Sequence, residues 1–297
     1  MKILIIGGSG FVSGTLARMA MEQGNEVWTV TRGERELPPG AHGIKVDRKD
    51  GSAFEAALRE VDVRWDVAVD CIGFHPDDAQ QDLESVIRRC DHLLFVSTDF
   101  VYDPDRRAFP RHEDTAEYTS AGYGGNKREA ELIFERSSSE TNWTVLRPCH
   151  IYGPGSKLGC LPYHSRDDQL IARIENGEPL SLVGGGHFLQ QPLFVEDLAG
   201  VILALGGVQG AFGQIVNVSG PDCIESREYY RIIASVLNRK VEITETPVAT
   251  ALAEHPEWKP FLCHRFYSKE RLAGLVPPPA TSIEAGIRRQ VEWLISG

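Results

Sequence analysis

The sequence predicts an α/β protein: a Rossmann-type, doubly wound parallel sheet with a smaller carboxy-terminal substrate-binding lobe. Three observations carry this. Short apolar runs alternate with helical patterns over roughly the first 150 residues; a glycine turn, Gly7-Gly8-Ser9-Gly10, follows the first run; and beyond Pro154 the rhythm breaks into Gly- and Pro-rich loops.

Ile3 to Ile6 is the first strand, and the pattern from Val12 to Gln23 is a helix stopped by Gly24-Asn25. Glu26 to Thr31 is the second strand. Ile44 to Val46, Val67 to Asp70 and Leu93 to Val96 repeat the buried-strand signature, with helices over Ser52 to Glu60 and Pro76 to Arg89 between them. Strands spaced this way by helices call for right-handed crossovers and a parallel sheet. A helix from Tyr123 to Ser137 and a strand from Trp143 to Arg147 continue the series. Loops then dominate (Gly153-Pro154-Gly155, Gly184-Gly185-Gly186), and Pro277-Pro278-Pro279 reads as a rigid connector before a last amphipathic helix, Ile283 to Ile295.

Composition excludes several classes. In 297 residues, 42% apolar content permits a large core, and no stretch approaches the roughly 18 to 20 apolar residues of a membrane span. A strand directly after Met1-Lys2 leaves no room for a signal peptide, so the expected location is cytoplasmic. The six cysteines form no CxxC pair, which argues against a disulfide framework or a bound metal. A net charge of -11 disfavours nucleic-acid and anionic-membrane partners. The expected partner is a small molecule.

A strand, a tight glycine turn and a helix together aim backbone N–H groups and the helix's positive end at a pyrophosphate. Gly7, Gly10, Phe11 and Val12 are the residues expected there, with the small Ser13 at the third glycine position. At the end of the second strand an acid would hydrogen-bond the adenine ribose of NAD. Here stand Thr31-Arg32-Gly33, with Arg35 behind, which points to NADP over NAD. Asp47-Arg48, after the third strand, reads either as a contact to the adenine ring or as a solvated charged turn.

Tyr123 and Lys127 are spaced i,i+4 and share one helix face, so the ammonium can sit against the phenol and ease its ionisation. With a hydroxyl from Ser97-Thr98 across the pocket, the set fits proton transfer at a carbinol carbon.

In combination, GGSGF at 7–11, STDFVY at 97–102, YGGNK at 123–127, LRPCHIYGPG at 146–155 and FVEDLA at 194–199 resemble the extended short-chain dehydrogenase/reductases. The resemblance is to the NAD-dependent epimerase/dehydratase family of nucleotide-sugar enzymes, and to the branch that includes chloroplast stem-loop RNA-binding proteins. It implies Tyr123 as acid/base, Lys127 on the nicotinamide ribose, Thr98 on the reacting oxygen, Ser97 as a packing neighbour and Pro148 beside the nicotinamide. His150 is implied either as a substrate contact or as a structural imidazole.

Departures narrow the chemistry. Related dehydratases carry a Glu where this chain has Phe100, which cannot remove a proton; Asp99 is left as an auxiliary acid or a turn residue. Gln190 and Gln191 are neutral where many relatives carry an arginine for the substrate diphosphate, and Gln191 is kept as a substrate contact. Lys157, Arg166 and Arg173 are the basic alternatives. Epimerisation comes first, NADPH-dependent reduction second, and a non-catalytic or RNA-binding role third. The expected division is a nucleotide domain over 1–155 with a return segment over 191–220, and a substrate lobe over 156–190 and 221–297. Glu196-Asp197 is expected to link the two. Apolar faces on the helices from Pro76 and Tyr123 suit either a homodimer seam or burial against the chain's own core.

Overall fold

Strands buried on both faces need apolar residues at nearly every position, and Ile3, Leu4, Ile5 and Ile6 are each at most 1% exposed. In the computed structural model, which describes residues 1–106, 108–114, 117–138 and 141–296, these residues sit mid-sheet. The strands are β1 (Lys2–Ile6), β2 (Glu26–Thr31), β3 (His42–Lys45), β4 (Trp65–Asp70), β5 (Cys90–Val96) and β6 (Trp143–Pro148). With the later strand Gln214–Val218 they form one parallel sheet, in the order 214–218, β6, β5, β4, β1, β2, β3. The chain leaves β1 toward β2 on one side, and β4 follows on the other, so a crevice opens where the strand order reverses.

The helices α1 (Phe11–Glu22), α2 (Gly51–Val61), α3 (Pro76–Gln81) and α4 (Gly122–Glu135) pack on the two faces. Gly7 and Gly8 hold φ of 117° and 108°, a region that favours glycine. A Cβ on Gly8 would fall 2.5 Å from the Thr29 side chain. Ser13 Oγ accepts from Gly10 N–H at 3.1 Å, so the residue in the third glycine position braces the turn.

The segment 76–89, expected as one helix, is instead α3 followed by a widened turn (Asp82–Val86) and a 3₁₀ turn (Ile87–Arg89). The physical cause lies outside it, in a buried guanidinium at the end of β3. Arg48 donates to Asp70 at 2.5 Å, to Asp82 at 3.0 Å and to the Asp78 carbonyl at 2.9 Å. Drawing Asp82 inward to that cation opens the helical ladder there.

On α4 the residues Gly124, Lys127, Ala130, Glu131 and Phe134 face the core, while Asn126 and Glu129 face solvent; on α3 the outward residues include Asp77 and Gln80. Ala79 of α3 and Ala130 and Phe134 of α4 are buried in the chain's own core, while Leu132 and Ile133 are half-buried and Tyr123 is exposed. A separate apolar cluster, with Tyr152, Leu170, Leu182, Tyr229, Tyr230 and Ile287 among its members, lies under the later loops. Asp197 and Glu196 link distant segments: Asp197 accepts from Ala280 N–H and Thr281 N–H at 3.1 and 2.8 Å, and Glu196 pairs with Arg18 and Arg289. Among the described residues no helix is long and apolar enough to cross a membrane.

Removing one partner of a buried ion pair leaves uncompensated charge and typically costs about 3–5 kcal/mol. Arg48→Ala strands Asp70 and Asp82, both fully buried. We expect a loss of that order in urea unfolding at pH 7; a change under 1 kcal/mol would show that the cluster is not what holds α3.

Candidate active site

The crevice continues as a cleft with two ends. One end, about 390 Å³, is lined by Gly7, Gly10, Arg32, Glu34, Arg35 and Asp47, among others. The other, about 610 Å³, brings together Phe11, Val12, Thr98, Tyr123, Lys127 and Pro148. Each of these residues lies at a strand end or in the first turns of a helix, where the sheet's geometry converges them.

Lys127 is 1% exposed, and its Nζ donates to the carbonyls of Gly73 at 2.5 Å and Val96 at 2.6 Å. It thereby ties α4 to the ends of β4 and β5. The i,i+4 spacing suggested an ammonium against the phenol; the acceptors it has among the described residues are these two carbonyls, and the groups that shift the Tyr123 phenol do not include it. Burial pushes its pKa down to about 8, opposed by the charges of Asp70 and Glu131.

Tyr123, 47% exposed, stands at the cleft mouth between the rings of Phe74 and Phe100, each 6.3 Å away. Desolvation raises the phenol's pKa, while a hydrogen bond from Thr98 and the charge of Arg166 lower it. The turn that puts Thr98 opposite Tyr123 is held by Thr98 Oγ1 accepting from Phe100 N–H at 3.3 Å. Ser97 points the other way, donating to Glu131 at 2.6 Å, where Arg147 also bonds that carboxylate at 2.6 Å. Of the adjacent hydroxyls, only that of Thr98 faces the phenol. Gly124, one residue past Tyr123, has no room for a side chain: a Cβ there would run into the Phe100 carbonyl.

Three further predicted residues, Arg48, Gln191 and Asp99, are engaged elsewhere. The Arg48 guanidinium is turned into its carboxylate cluster, so this residue lines the glycine-turn end of the cleft without offering its charge there. Gln191 is 2% exposed and its Oε1 accepts from Tyr267 N–H at 2.8 Å, so it braces the 265–268 segment. Asp99 also holds that segment, accepting from the Tyr267 hydroxyl at 2.6 Å. Arg32 pairs with Glu34 at 2.8 Å on the rim. His150 lines the cleft, and its buried Nε2 has no hydrogen-bond partner among the described residues.

Residues 3–219 match the model of the NAD dependent epimerase/dehydratase family. The chain belongs to that family. Curated relatives include a chloroplast stem-loop binding protein of 41 kDa from Arabidopsis thaliana, 28% identical over 234 residues. That alignment takes in 74% of this chain, and the chain spans only 58% of the relative's length. A dTDP-4-dehydro-6-deoxy-D-allose reductase from Streptomyces bikiniensis is 26% identical, over 82% of this chain and 84% of the relative. Among solved structures, a UDP-glucose 4-epimerase from Thermus thermophilus in complex with NAD superposes with a TM-score of 0.76 at 19% identity, covering 99% of each chain. At that identity the likeness speaks to the fold alone. Extended short-chain dehydrogenase/reductases of this family are enzymes.

In this epimerase-family cleft the sequence left Arg265 and Tyr267 unseen. No local pattern marks them: Tyr267 reaches Asp99 from 168 residues away.

The depressed Lys127 pKa has a stability consequence. Between about 8 and the unfolded value of 10.5 the unfolded lysine is protonated and the folded one neutral, so raising pH through that window stabilises the native state. A neutral amine still has two N–H groups for its two carbonyls. Relative to Lys127→Met, wild type should gain on the order of 2–3 kcal/mol between pH 7.5 and 10 in urea unfolding. A constant difference would refute the depressed pKa.

Proposed function

We propose that this chain is a NAD(P)-dependent epimerase or oxidoreductase acting on a carbinol or keto carbon of a sugar or nucleotide-sugar. The observation that carries the reading is the continuity of the cleft: its walls run from the glycine turn at Gly7–Gly10 to Thr98, Tyr123 and Lys127.

The residues present fit a dinucleotide. Gly7 and Gly8 keep the turn bare, the amino terminus of α1 faces the cleft, and Lys127 at the far end matches a ribose hydroxyl. When bound, the nicotinamide supplies or accepts hydride. Tyr123 holds the proton at its phenol oxygen and exchanges it with the substrate oxygen, which Thr98 orients by its hydroxyl. Lys127, fixed by the Gly73 and Val96 carbonyls, presents its remaining N–H to the ribose. Phe100, packed against Phe261 at 4.9 Å, offers no base beside the reacting carbon, which speaks against dehydration.

These residues serve two outcomes: hydride returned to the opposite face of the same molecule, or net reduction of a ketone. Arg32 and Arg35 at the adenine end favour the second as an NADPH-dependent reaction, since an exposed pair such as Arg32–Glu34 is worth at most about 1 kcal/mol and yields readily to a 2′-phosphate. Reductases also stand among the named relatives. An RNA-binding role finds little support in a net charge of -11.

Tyr123→Phe should lower turnover at least a hundredfold on whichever nucleotide-sugar wild type converts, with cofactor affinity within about twofold. Wild-type turnover in that variant would sink the assignment. Fluorescence titration should show NADPH binding at least tenfold tighter than NADH; the reverse order would return the cofactor to NAD.

A further inference from the structure

The substrate half of the cleft carries a second group of side chains that the proton-transfer set does not use. Arg265, Arg166 and His150 come from three segments of the chain and line the same wall.

Arg265 is 3% exposed. Its Nη2 donates to Gln190 Oε1 at 3.0 Å, while its Nη1 stands 3.6 Å from Asp99 Oδ2, beyond hydrogen-bond range. That oxygen is already taken by the Tyr267 hydroxyl at 2.6 Å. A guanidinium has five N–H donors, and among the described residues only one of these makes a hydrogen bond here. The Phe100 ring lies 5.5 Å beneath it. Gln190 and Phe100 thus fix the plane of a buried cation whose donors are largely unspent.

Arg166 forms no side-chain hydrogen bond or ion pair among the described residues, and its charge is felt at both the Tyr123 phenol and the His150 ring. His150 Nε2 is buried and has no hydrogen-bond partner among the described residues. Burial, with both arginines adding to it, pushes the imidazole pKa down to about 3, so the ring is a neutral donor or acceptor at pH 7.

Two guanidiniums, one carboxylate and an orphaned imidazole nitrogen leave this wall positive in a chain of net charge -11. A buried cation short of partners is costly, and an incoming planar anion that fills the fork recovers that cost. We propose that Arg265, Arg166 and His150 bind a carboxylate of the substrate next to the reacting carbon, so that the enzyme selects acidic sugars of the uronate type. The aromatic side chains of Phe100 and Phe261 would cover the C–H face of the same sugar ring. This inference rests on the sugar-carbinol reading above.

The test compares two ligands with the same nucleotide and diphosphate. Calorimetric titration of cofactor-loaded protein with UDP-glucuronate and UDP-glucose isolates the carboxylate. Wild type should bind UDP-glucuronate at least tenfold tighter. Arg166→Gln, at an exposed position, should reduce that preference to about twofold while leaving UDP-glucose affinity unchanged, and Arg265→Gln should do the same if its folding, checked by thermal unfolding, is intact. Equal wild-type affinities, or binding of neither ligand, would overturn the proposal. So would equal weakening of both ligands by Arg166→Gln, which would assign that guanidinium to the diphosphate. Binding needs no turnover, so this result stands apart from the Tyr123→Phe experiment: a carboxylate preference with no Tyr123 dependence would fail the chemistry and keep the site.

Discussion

The bonds from the Lys127 ammonium to the Gly73 and Val96 carbonyls are the constraint on which the site's arrangement rests. They join three elements that share no covalent neighbourhood: the helix that carries Tyr123, the loop after β4, and the end of β5 that runs into Thr98. Asp70 stabilises the loop by accepting from the N–H groups of Ile72 and Gly73, and Arg48 holds Asp70. A chain of buried polar contacts thus runs from the glycine-turn end of the cleft to the lysine. Such networks rigidify when every member is satisfied.

A second buried network works from below. Glu131, one helical turn past Lys127, takes bonds from Ser97, Arg128 and Arg147. Tyr102 and Asn217 extend it to the strand at the sheet edge. Lys127 and Glu131 therefore clamp the inner face of α4 to the strand ends, while Tyr123 on the outer turn is left half-exposed and reachable. Gly124 makes the approach of helix and turn close enough for both.

Much of this was legible in the sequence, because the signals were local. The strand Glu26–Thr31 falls where its apolar run ends, the glycine turn leads into α1, and the Tyr-Lys spacing put both residues on one helix. Features set by long-range contacts were not legible. Helical periodicity over 76–89 carries no record of Arg48, which lies 34 residues before Asp82 and opens the turn there. The spacing of Tyr123 and Lys127 gives a shared face but not the carbonyls that compete for the ammonium. Gln190 read as a missing charge; its role as the acceptor that holds Arg265, 75 residues on, needed the fold.

The 265–268 segment is threaded between two older parts of the chain: Arg265 N–H donates to the Leu189 carbonyl, and Arg111 N–H and Ser268 N–H exchange bonds with Phe266 and Arg111. During synthesis the glycine turn, the helix α4 and the strand Gln214–Val218 all leave the ribosome before it. A nascent chain thus holds the complete seven-stranded sheet and the glycine-turn end of the cleft while Phe261 and Arg265 are still missing from its other end. The acceptors waiting for that segment, Asp99, Gln190 and Gln191, stay open to water until residues 265–268 have been made.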